Sequence, residues 1–116
     1  MSHPIFPESS PDIARKRRQL APKTLDAFKA FSAQVFAEGA LSAQSKQLIA
    51  IAVAHVTQCP YCIRGHTTAA LKMGVTDEQI MEAIWVAAEM RAGGAYAHSA
   101  LAIDVMQQHA HPEASE

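Results

Sequence analysis

Aromatic residues make up only 6% of this 116-residue chain. Beside an abundance of alanine, that shortage favours helices packed closely through small side chains over a sheet. No apolar run reaches about 18 residues, so no membrane-spanning segment is expected. Neither sign of charge is in excess, with 10 Lys+Arg against 11 Asp+Glu; no broad field points to nucleic acid or to a membrane surface. Residues 1–12 are polar and proline-rich and lack the apolar centre of a secretory signal, so a cytoplasmic home is expected. Cysteine is scarce: the chain has two, at Cys-x-x-Cys spacing. In a cytoplasmic protein that spacing suggests redox or metal chemistry rather than a structural staple.

What is present is enough for one domain with a real core: hydrophobic residues are 49% of the chain. Residues 1–10, with Pro4 and Pro7, read as a flexible N-terminal arm. Residues 11–108 read as a helical domain, and 109–116 as a loose tail. Ser10 and Pro11 suit the start of a first helix to about Leu20, whose run Arg15-Lys16-Arg17-Arg18 reads as a solvated face. A second helix from about Pro22 carries the apolar stripe Leu25, Phe28, Phe31, Val35 and Phe36, with Gly39 suited to a left-handed cap at its end. Ser42 caps a third helix, 43–57, whose centre is apolar on every side and therefore expected to be buried, in the core or against another subunit. Cys59 and Pro60 open a fourth helix, closed by Gly74. Thr76 to Gln79 is a capping box for a fifth, whose stripe of Ile80, Met81, Ile84, Trp85, Ala88 and Met90 is expected to be core. Gly93-Gly94 is expected to kink or interrupt that helix, giving about six helices in an all-α fold.

The informative stretch is Cys59-Pro60-Tyr61-Cys62-Ile63-Arg64-Gly65-His66. With Cys59 at a helix cap, Cys62 lies near amide hydrogens without helical partners and at the positive end of the helix dipole, which predicts a favoured thiolate at Cys62. Helix geometry puts the two Cα atoms about 5 Å apart, within disulfide range. His66 follows Cys62 by one turn and is placed to take or deliver a proton. Together these are the parts of a peroxide-reducing dithiol centre: attacking thiolate, resolving thiol and proton carrier, oxidised through a sulfenic acid to a disulfide. Zinc is a weaker alternative, since structural zinc wants four ligands and only one cluster is present, with His55 as a conceivable extra ligand. The remaining alternative is two buried cysteines without chemistry.

The text from Lys46 through the apolar helix to Gln58-Cys59-Pro60-Tyr61-Cys62, His66, Ala69-Ala70, Gly74, Thr76, Glu78, Ile80 and Glu82 resembles the carboxymuconolactone decarboxylase superfamily, and within it the alkylhydroperoxidase AhpD-like branch. The likeness spans roughly residues 22–108. It implies an all-helical homo-oligomer, commonly a homo-trimer or homo-hexamer. It also implies thiol-dependent reduction of a small hydroperoxide by a dithiol reductant, with no cofactor and no metal. Carried over by position, Cys62 is the attacking sulfur, Cys59 the resolving one and His66 part of the proton relay. Two positions depart from the pattern: Gln47 stands where the family often has glutamate, and Tyr61 where the best-known peroxidases have histidine. An amide orients a water but is no general base, so Gln47, His55 and Glu89 are candidate relay members. A thiol–disulfide exchanger or redox sensor with little turnover, and a non-catalytic metal-binding or assembly module, are the alternative functions; a lactone decarboxylase leaves the cysteine pair without a task.

Overall fold

The computed structural model describes residues 5–111. They form five helices, and no strand is present among them: α1 Pro11–Leu20, α2 Pro22–Phe36, α3 Ala43–Thr57, α4 Pro60–Lys72 and α5 Asp77–Ala110. The expected all-α class holds. Most helix starts are set by local chemistry. Ser10, Ser42 and Thr76 each accept a hydrogen bond from a first-turn amide, and Thr76 and Gln79 close a reciprocal capping box. Proline opens α1, α2 and α4, where its missing amide hydrogen costs nothing. Gly74 follows α4 at φ 85°, a left-handed turn that glycine adopts without strain.

Helix α3 is the centre of the fold, with α4 and α5 packed on it. The core is small: Ile51 and Ala54 of α3, Ala70 of α4, Val75 of the following loop, and Ile80 and Ala87 of α5. The alanines let the three helices approach closely, and Ile51 is fully buried among Ala70, Val75 and Ile80. Among the described residues, no helix is long and apolar enough to cross a membrane. The basic run of α1 is solvated; Arg15 pairs with Asp12, and Arg18 with Asp26 at 2.7 Å. Such exposed pairs contribute about 0–1 kcal/mol.

Three expectations are corrected. The fold has five helices rather than about six, because Gly93-Gly94 does not interrupt α5. Two glycines cost a helix about 2 kcal/mol relative to alanine, too little to break one supported on both sides by alanine-rich turns, and neither takes a positive φ. Gly39 is not a left-handed cap: α2 already leaves the helix at Ala37 in extended backbone. The Lys46 ammonium instead takes the Val35 and Ala37 carbonyls, at 2.8 and 2.6 Å. Helix α2 buries no residue, and Phe28 and Phe31 of its apolar stripe are exposed. Of the α5 stripe, Ile80 is buried and Ile84 packs against the core, whereas Met81, Trp85 and Met90 are exposed. Helix α3 is likewise buried on one side only, with Ile49, Val53 and Val56 exposed.

The arm boundary falls partly on residues 1–4 and the tail partly on 112–116, which lie outside the described residues. Residues 5–10 carry no helix, and His109 and Ala110 complete α5.

Candidate functional site

The turn from α3 into α4 sets the position of both sulfurs. Helix α3 ends on Gln58 in the left-handed region, φ 58°. The amide of Cys59 then donates back to the Ala54 carbonyl at 3.1 Å, and Cys59 adopts the extended conformation of an N-cap. In that position Cys59 Sγ does the work of a capping oxygen: the Cys62 amide donates to it at 3.3 Å. Both cysteines are free thiols, Cys59 half-buried and Cys62 exposed.

This geometry reverses the expected electrostatics of the pair. The Cys59 thiol is pulled below its ordinary value, first by a hydrogen bond from the Cys62 thiol and then by the Cys62 amide. The Cys62 thiol is pushed up, first because it donates that hydrogen bond to Cys59, then by desolvation and the repulsion of a Cys59 anion. The unpartnered amide at the helix start serves the cap residue and not Cys62, so the favoured thiolate is Cys59. The two sulfurs titrate as a pair. In Cys59→Ser, the main causes that raise Cys62 disappear. Its titration, followed by thiolate ultraviolet absorbance, is expected to move down toward the ordinary thiol value; an unchanged or higher midpoint would contradict this account of the pair.

Cys62 faces a cavity of about 370 Å³ between α2, α3 and α4. Its walls are mostly apolar, from Phe36, Ile49, Val53 and Ala54, with His66 beside Cys62 and Lys46 at the edge. His66 is held from two sides. Phe36 stacks on its ring, centroids 5.0 Å apart and planes at 28°. Gln47 Oε1 lies 2.8 Å from its Nδ1. An amide oxygen only accepts, so Nδ1 carries the proton and Nε2 keeps its lone pair. Gln47 is the one buried polar side chain among the described residues, and the bond to His66 satisfies it.

Of the candidate residues, the structure brings together Cys59, Cys62, His66 and Gln47. It does not bring in His55 or Glu89. His55 turns its Nδ1 to the Ile51 carbonyl of its own helix, 2.7 Å away. Glu89 is exposed on α5 and makes no ion pair among the described residues. No group of three or more His, Cys, Asp or Glu spaced for a metal occurs among the described residues. Tyr61 points away from the cavity: its hydroxyl donates to the Pro7 carbonyl at 2.7 Å, and Phe6 meets its ring edge-on. Sequence reasoning missed Phe36 and Lys46 as site residues. Phe36 had a signal, being the last member of the α2 stripe; Lys46 had none beyond its place at the start of the text that resembles the family.

Residues 22–104 match the carboxymuconolactone decarboxylase family. The chain is 65% identical over 83 residues to an uncharacterised protein from the cox locus of Paracoccus denitrificans, covering 72% of this chain and 75% of that protein. An uncharacterised protein of Cupriavidus necator is 38% identical over 86 residues, covering 72% and 76%. Among solved structures, a protein from Methanobacterium thermoautotrophicum superposes with a TM-score of 0.67 at 38% identity, over 73% of this chain and 94% of that one. A carboxymuconolactone decarboxylase family protein from Legionella pneumophila, in its apo form, also gives 0.67, at 29% identity over 84% and 87%.

Proposed function

The chain belongs to the carboxymuconolactone decarboxylase family, and from that premise we propose that it is a thiol-dependent peroxidase of the alkylhydroperoxidase type. The observation that carries the proposal is the cavity in which Cys62 and a tautomer-fixed His66 meet, with Cys59 held as the readier anion beside them. The apolar walls suit the organic part of a hydroperoxide.

The chemistry follows from the two unlike sulfurs. His66 Nε2 takes the proton of Cys62, and the Cys62 thiolate attacks the outer peroxide oxygen. The O–O bond breaks, Cys62 becomes a sulfenic acid, and the departing alkoxide takes the proton back from His66 Nε2 and leaves as an alcohol. Cys59, the more readily ionised of the two thiols, attacks the Cys62 sulfur as its thiolate and expels hydroxide, which takes up the proton that Cys59 released and leaves as water. The peroxide is reduced by two electrons and the thiol pair is oxidised to a disulfide. An external dithiol then restores the pair by exchange. A raised thiol is the stronger nucleophile once ionised, so the division of labour assigns attack to Cys62 and resolution to Cys59.

The test is exposure of the reduced protein to cumene hydroperoxide with dithiothreitol as donor. Expected are many peroxides consumed per chain and, without donor, a mass loss of two hydrogens from a Cys59–Cys62 disulfide. A disulfide that forms while consumption stops after one round, donor present, would favour the redox-sensor alternative, which the raised Cys62 thiol also supports. No disulfide at all would end both.

A further inference from the structure

Lys46 and Gln47 are neighbours near the start of α3, and between them they reach His66 from two sides. Gln47 does so directly, with Oε1 2.8 Å from the His66 Nδ1. Lys46 does so at one remove. Its ammonium donates to the Val35 carbonyl at 2.8 Å and to the Ala37 carbonyl at 2.6 Å. Those two residues bracket Phe36, the ring that stacks on His66 with centroids 5.0 Å apart.

Helix α2 has little else to hold this end. It buries no residue, and its last turn carries no basic side chain of its own. Its C-cap, Ala37, is extended, and the last carbonyls of a helix have no amide partners within it. Helix ends of this kind open readily. The Lys46 ammonium, coming from the next helix, supplies hydrogen-bond donors to the carbonyls and a cation to the negative pole of the helix dipole. Lys46 forms no ion pair among the described residues that would draw it elsewhere. One other tie joins the two helices here: Glu38 accepts from the Ala43 amide at 3.2 Å, in the loop beyond Phe36.

We propose that Lys46 is a positioning residue, clamping the carbonyls on either side of Phe36 and so holding that ring against His66. A hydrogen bond at one nitrogen leaves an imidazole free to tilt about that contact. The stacked ring removes the tilt, and it does so only while the end of α2 stays in place. The placement of the ring holds whatever reaction the site performs; its effect on turnover rests on the peroxidase proposal.

The experiment is NMR of the reduced full-length chain carrying isotope-labelled histidine, in mildly alkaline buffer, with the His66 signals identified by their absence from His66→Ala. In the native protein the His66 ring protons are expected upfield of ordinary histidine, through the ring current of Phe36, and the ring nitrogen shifts are expected to show the proton on Nδ1. Lys46→Met keeps the aliphatic stem and removes the ammonium. It is expected to lose the upfield shift and to keep the Nδ1–H signature, because Gln47 is still in place. Lys46→Arg restores a charged donor and is expected to recover the shift. With cumene hydroperoxide, an uncharged substrate that forms no ion pair with Lys46, Lys46→Met is expected to lower kcat severalfold with KM little changed, and Lys46→Arg to restore it. An upfield shift that survives in Lys46→Met would overturn the clamp. So would loss of the Nδ1–H signature along with the shift, which would place the effect of Lys46 on the fold rather than on Phe36. Loss of the shift with an unchanged kcat would overturn the positioning role. A native protein that consumes no peroxide ends the peroxidase proposal and not the clamp, which the NMR arm decides alone.

Discussion

Replacing Cys62 by serine is expected to abolish turnover, lowering peroxide consumption by at least about a thousandfold, the scale on which loss of a covalent nucleophile is felt. Cys59→Ser is expected to behave differently. Without a donor, Cys62 would still attack, once, and its sulfenic acid would then persist for lack of a neighbour to displace hydroxide. The contrast rests on the placing of the two sulfurs. Cys62 lines the apolar cavity that His66 also lines, and Cys59 sits at the helix cap. The readouts are peroxide disappearance with dithiothreitol and, in a separate donor-free reaction, dimedone, which labels sulfenic acids. In Cys59→Ser the label should appear on Cys62. A Cys62→Ser protein that still consumes peroxide and carries the label on Cys59 would reverse the roles, and the lowered Cys59 thiol would then mark the attacking group.

The parts of this protein legible in its sequence are those decided by neighbours within a few positions. Ser10, Ser42 and Thr76 announced helix starts because a cap is a local hydrogen bond. Cys59-Pro60 announced the start of α4 for the same reason. What was not legible depended on longer range or on competition. Whether Gly93-Gly94 breaks α5 is a contest between a local cost and the packing of its flanking turns. Which way the stripes of α2 and α5 face is set by the surfaces available to cover them, and a single chain does not supply enough. The order of the two thiols was misjudged because one amide was offered to two sulfurs: the dipole argument gave it to Cys62, whereas the cap geometry gives it to Cys59. The bond between Gln47 and His66 joins residues 19 apart, a pairing that spacing along one helix does not reveal.

That pairing carries the second large effect. His66→Ala is expected to lower kcat/KM by about a hundredfold or more, the usual loss when a positioned proton carrier is removed. Gln47→Leu is expected to lower it by about tenfold, on the scale of losing a group that orients a reacting imidazole. The difference in size follows from their roles. In the proposed mechanism His66 exchanges the proton, whereas Gln47 fixes which nitrogen is free to do so and touches no reactant. Without the Gln47 oxygen the half-buried Nδ1–H loses its partner, and the ring is free to turn or to carry its proton on Nε2, where it would no longer accept one from Cys62. Thermal unfolding followed by circular dichroism separates this from simple damage to the fold, since both variants are expected to unfold cooperatively as the native protein does. Gln47→Glu keeps an acceptor at the same place and should restore activity lost in Gln47→Leu. If Gln47→Leu retained the full rate while His66→Ala lost it, the imidazole would be positioned by Phe36 alone, and the buried amide would be a packing residue.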